Sequence, residues 1–120
     1  MMREMLQAKL HRACVTETRL EYPGSLTVDR DLLDRAGILV HQKVQVVNCM
    51  NGSRLETYVI EGERGKGEII VNGAAARLAQ TGDRIIIIAY ASYDEAELAA
   101  GHTSRVVVCN ADNSVAEVIE

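Results

Sequence analysis

The sequence predicts a mainly β protein, a closed or nearly closed barrel with short helices between its strands. Three observations carry this. Short β-branched runs outnumber short helical ones, turn signals separate them, and 120 residues at 48% hydrophobic composition supply one core and one domain. In order, Lys9 to Thr16 alternates in part, and Lys43 to Cys49 alternates clearly, so both read as half-buried strands. Between them Asp29 is placed to cap a short helix carrying Leu32, Leu33 and Ala36, with Gly37 ending it in a left-handed conformation. Asn51-Gly52 is a hairpin signal that leads into the strand Arg54 to Ile60. Along that strand Arg54, Glu56, Tyr58 and Ile60 share one face, and Thr57 takes the other. Gly62 to Gly67 is a loop that lacks the full phosphate-cradling pattern, and Glu68 to Asn72 is a strand. Gly73 to Ala79 reads as a tight turn opening an alanine-rich helix whose first amides lack intrahelical partners. Gly82-Asp83 turns the chain into Arg84 to Tyr90, too β-branched for a helix and best placed as a central strand. Tyr93 to Ala100 is expected as a surface helix, and Arg105 to Cys109 as a strand.

Composition narrows the function classes. No apolar run approaches the length of a membrane span and no secretory signal opens the chain, so a cytoplasmic protein away from membranes is expected. A net charge of -4 and the absence of a basic stripe count against nucleic acid as a partner. Cys14, Cys49 and Cys109 are too far apart for paired zinc ligands and are expected as buried free thiols. The histidines show no metal-ligand spacing, so no metal site is expected.

The segment Tyr22-Pro23-Gly24-Ser25 holds the only proline and is the most informative stretch. A serine hydroxyl lies within reach of the carbonyl of the preceding residue, and a glycine there has no Cβ to block attack. Proline then glycine is also the standard centre of a type II turn, so on these residues alone a self-cleaving bond and a plain turn both stand.

Taken together, Lys9-Leu10-His11-Arg12, Tyr22-x-Gly24-Ser25, Asn51-Gly52-x-Arg54-Leu55-Glu56-Thr57-Tyr58, Glu63-Arg64-Gly65 and Asn72-Gly73-Ala74-Ala75-Ala76 resemble the bacterial aspartate 1-decarboxylases. The resemblance runs to about Tyr90 and implies a double-psi β-barrel assembled as a homotetramer. It implies a proenzyme that cuts itself between Gly24 and Ser25, giving a β-chain of residues 1–24 and an α-chain of residues 25–120. The cofactor implied is a pyruvoyl group generated from Ser25, which binds the amine of L-aspartate as a Schiff base and acts as an electron sink for loss of carbon dioxide. The product is β-alanine, a precursor of pantothenate.

Carried over residue by residue, the resemblance gives Tyr58 as proton donor and Thr57 as an aid to cleavage and a substrate contact. Lys9 and Arg54 pair with substrate carboxylates. Asn72, Gly73, Ala74 and Ala75 form the substrate-binding turn, and His11 and Tyr22 line the pocket. Pro23 stiffens a position beside the bond and is expected to alter the cleavage rate. A maturation factor is left open as a further partner. The alternative reading is a non-enzymatic double-psi barrel binding module, which predicts one intact chain.

Overall fold

A computed structural model describes residues 1–120. Nine strands, β1 (Met2–Cys14), β2 (Glu17–Arg19), β3 (Ser25–Asp29), β4 (Lys43–Asn48), β5 (Arg54–Gly62), β6 (Ile69–Asn72), β7 (Arg84–Asp94), β8 (Arg105–Cys109) and β9 (Val115–Ile119), join in one sheet. Their order is β2-β6-β3-β5-β4-β7-β1-β8-β9. The pairs β1/β8, β2/β6 and β3/β5 are parallel within an otherwise antiparallel sheet, a mixture consistent with a double-psi barrel. Register shifts between Leu6 and Ala8 and between Leu10 and Ala13, with Arg12 at φ 61, bend β1 along its length. Where β1 ends, Val15 N donates to Asp83 O at 2.8 Å and Thr16 N to Ile69 O at 2.8 Å, lacing β6 to the turn that enters β7.

Inward-facing residues of these strands and of helix α1 (Arg30–Ala36) form one apolar cluster, with Leu10, Val28, Leu33, Val59, Ile69, Ile85, Ile87 and Val107 sealed from solvent. Asp29 caps α1 by accepting from Asp31 N at 2.8 Å, and Gly37 ends it at φ 76 with its amide on Leu33 O and Asp34 O. The same buried carboxylate accepts from Gly65 N at 3.3 Å and Gly67 N at 2.7 Å. Two amides of the glycine-rich loop are therefore held by Asp29 rather than offered to a phosphate.

Four expectations need correction. Tyr93 and Asp94 belong to β7 because they pair with Arg3 and Met2 of a first strand that begins seven residues before Lys9. Helix α2 is only Glu95–Ala99, closed by a capping box between Asp94 and Glu97. The alanine-rich turn is a 3-10 helix, Gly73–Leu78, wound tighter than the α-helix expected. Of the cysteines only Cys109 is buried, and burial pushes its thiol up to about 11, whereas Cys14 is half-buried and Cys49 exposed.

The C-terminal hairpin is fastened by Asn113, a buried residue at φ 65 in the β8–β9 turn. Its Oδ1 accepts from Cys14 N at 2.6 Å, and its Nδ2 donates to Cys14 O and Gly67 O, both at 2.8 Å. One side chain thereby ties the end of β1, the glycine-rich loop and the hairpin together. Asn113→Ala removes all three bonds and leaves half-buried backbone groups of Cys14 and Gly67 unpaired, so it is expected to lower stability by about 2–4 kcal/mol. Thermal and urea unfolding of the variant measure this, and a loss within experimental scatter of zero contradicts it.

Candidate active site

Ser25 opens β3 and stands directly opposite Asn72, the last residue of β6. Asn72 is 0% exposed and Ser25 3%. The Asn72 Nδ2 donates to Ser25 Oγ at 3.1 Å and to Thr27 Oγ1 at 3.0 Å, while its Oδ1 is buried with no donor. An unpaired buried carbonyl costs about 1–3 kcal/mol, a penalty that a purely structural asparagine avoids.

On the other side β3 runs parallel to β5, with Leu26 paired to Val59. Continuing that register back two residues sets Thr57 level with Gly24. Gly24, Ser25, Thr57, Asn72, Ala74 and Ala75, with Leu55, Glu56 and Leu78 at the margins, line an open cleft of about 370 Å³. The small side chains of Ala74 and Ala75 keep that cleft open in front of Ser25.

Gly73 is packed against the peptide before Ser25. It sits at φ 69, and a Cβ there would lie 2.6 Å from Gly24 Cα, 2.8 Å from Gly24 N and 3.0 Å from Tyr22 O. Only glycine fits on both counts. The far end of the 3-10 helix is anchored by three donors that converge on Leu78 O: Asn48 Nδ2 at 3.1 Å, Asn51 Nδ2 at 3.0 Å and Ser53 Oγ at 3.2 Å. The hairpin around Asn51-Gly52 therefore holds the Leu78 side of the cleft, a role that its sequence does not signal.

The type II turn is not formed. Gly24 is absent from the left-handed region that this turn requires at its third position, and the hydrogen-bonded turn lies upstream, with Tyr22 N donating to Arg19 O at 3.2 Å.

Other residues singled out in the sequence lie elsewhere on this chain. Alternation along β5 turns Arg54 and Tyr58 to the face opposite Thr57. There Arg54 Nη1 donates to Gln45 Oε1 at 2.9 Å, an oxygen that also accepts from Tyr90 OH at 3.2 Å. Tyr58 is 43% exposed, with its ring edge-on to His41 at 6.2 Å between centroids. Lys9 and His11 lie on β1, where Lys9 pairs with Ile88 of β7 and Val106 of β8. Burial, and then the positive charges of Lys9, Arg12 and Arg84, hold the His11 imidazole below its ordinary pKa, which favours the neutral ring. The Tyr22 ring lies under the Arg19 guanidinium at 5.8 Å. One chain thus gathers Gly24, Ser25, Thr57, Asn72, Gly73, Ala74 and Ala75, and leaves Lys9, His11, Arg54 and Tyr58 outside their cleft. Thr27 joins the cluster unannounced, although its place two residues after Ser25 on a strand puts it on the same face.

A protein-family model described as aspartate decarboxylase matches residues 1–116. The chain is 55% identical over 119 residues to the aspartate 1-decarboxylase of Bacillus pumilus, covering 99% of this chain and 93% of that protein. It is 52% identical over the same coverage to the enzyme of that name from Bacillus subtilis. With that of Sulfurimonas denitrificans it shares 52% identity over 117 residues, 98% of this chain and 96% of the relative.

Proposed function

The chain belongs to the aspartate decarboxylase family and is a carboxy-lyase acting on aspartate, and we propose that it makes its own cofactor by cutting itself between Gly24 and Ser25. Its product from L-aspartate is β-alanine, which serves pantothenate formation, and a cytoplasmic location suits that role. The observation that supports the self-cleavage is the approach of Asn72 to Ser25 Oγ and of Gly73 to Gly24, beside Thr57 in the same open cleft.

In the uncut chain Ser25 Oγ attacks the Gly24 carbonyl carbon, the C–N bond breaks, and an ester with a free Ser25 amine results. Elimination then releases Gly24 as a carboxylate, and hydrolysis expels ammonia to leave a ketone at residue 25. The Thr57 hydroxyl, level with Gly24, donates to the oxyanion that develops on the Gly24 carbonyl oxygen. Asn72 Nδ2 serves the first stage, donating to the attacking Oγ; that oxygen departs with Gly24, and the ketone oxygen comes from water at the Ser25 Cα, where the nitrogen stood. The pyruvoyl group supplies an electron sink for the carbon-carbon cleavage.

The remaining residues bind substrate and move a proton. Lys9 and Arg54 hold the two carboxylates of aspartate, Arg54 bidentately, and Tyr58 delivers a proton to the carbon that has lost carbon dioxide. Since Arg54 and Tyr58 face away from the cleft of their own chain, a neighbouring copy completes each site. A homotetramer in which the exposed Tyr22, Tyr58 and Tyr90 become buried between copies suits this arrangement.

Thr57→Val keeps a β-branched residue of similar size on β5 and removes the hydroxyl. It is expected to slow self-cleavage roughly tenfold or more, so that freshly purified variant is mostly uncut and yields little β-alanine from L-aspartate. Mass spectrometry and a β-alanine assay test this. Wild-type processing by a variant with a native circular dichroism spectrum removes Thr57 from the role, and absence of β-alanine from fully cut wild-type protein contradicts the activity.

A further inference from the structure

Thr27 and Ser25 project from the same face of β3, and Asn72 reaches both from β6. A primary amide has two N–H groups, and here one goes to Ser25 Oγ and the other to Thr27 Oγ1. Because the Asn72 Oδ1 has no donor, these two bonds alone set the orientation of the amide. Thr27 is itself held. Its Cγ2 lies 3.1 Å from where a Cβ on Gly62 would stand, so its methyl fills the space that glycine leaves. Its hydroxyl is turned to Asn72.

We propose that Thr27 is a positioning residue for the self-cleavage, keeping the Asn72 amide aimed at Ser25 Oγ; the proposal rests on the cleavage reading given above. An N–H donated to Oγ stabilises the negative charge that gathers there as the hydroxyl proton departs. The new Oγ–C bond to Gly24 replaces the C–N bond, and the proton ends on the Ser25 nitrogen, so the step is an isomerisation that needs no co-reactant. Without the Thr27 hydroxyl, a single bond holds the amide, which is then free to turn away from Oγ.

The test uses full-length chain made by cell-free translation and sampled over time, with fragment formation followed by mass. Thr27→Val is expected to cleave about tenfold more slowly than wild type, the loss of one orienting hydrogen bond, with its secondary structure retained. Thr27→Ser restores the hydroxyl without the methyl and is expected to cleave within about twofold of wild type. Packing alone predicts the reverse order, since valine fills both γ positions and serine loses the methyl. Wild-type speed in Thr27→Val, or equal slowing in both variants, overturns the assignment. A wild-type chain that stays whole overturns the cleavage reading and the assignment with it.

Discussion

Gly73→Ala is expected to leave the Gly24-Ser25 bond uncut at least about a hundred times as long as in the wild type. The substitution is small, but the new methyl carbon would stand 2.6 Å from Gly24 Cα and 2.8 Å from its nitrogen, both backbone atoms that no side-chain rotation moves aside. Ordinary contact lies beyond 3.4 Å, so the two segments must part by most of an ångström. A displacement of that size at a reacting group costs on the order of 10²-fold in rate. Alanine at φ 69 adds a backbone strain of about 1–2 kcal/mol. Gly37→Ala separates the two effects, because it imposes similar strain at φ 76 with open space around its Cβ. The account expects that control to cleave at wild-type speed while Gly73→Ala accumulates as full-length chain. Equal rates in the two variants would show that the contact with Gly24 is irrelevant to the reaction.

Tyr58→Phe is expected to divide the two chemistries. Thr57 lines the cleft at Ser25, whereas Tyr58 is exposed on the opposite face beside His41, so the phenol has no part in cutting its own chain. The variant should process normally. Its turnover of L-aspartate should fall by about 10²- to 10⁴-fold, the contribution of a positioned proton donor. Stability should barely move, since the ring and its packing are retained. Confirming both fragments by mass and then measuring β-alanine release gives the result, with cyanoborohydride trapping to show that substrate still binds. Near-wild-type β-alanine release assigns proton delivery to another group, and failure to process shows that Tyr58 acts in the cut itself.

What the sequence revealed and concealed follows from the range of each interaction. Asp29 and Gly37 were legible because a helix cap and a left-handed stop are local. The alternation that sets Thr57 and Tyr58 on opposite faces was legible for the same reason. Asn113, by contrast, bonds to Cys14 across 99 positions, and Gly73 meets Gly24 across the β3–β6 pairing, contacts that no local pattern encodes. Residues Met2 to Ala8 carry weak alternation, so their strand escaped notice, and with it the continuation of β7 to Asp94. The site was legible only as a list. Why its members divide between two faces appears once β5 is placed beside β3.

The most direct measurement is the intact mass of the purified protein. The account predicts two species, residues 1–24 and residues 25–120, with the larger one lighter by one ammonia than a serine-ended fragment and resistant to Edman sequencing. A chain that remains a single full-length species after prolonged warming and after incubation with cell extract, which supplies any maturation factor, contradicts it.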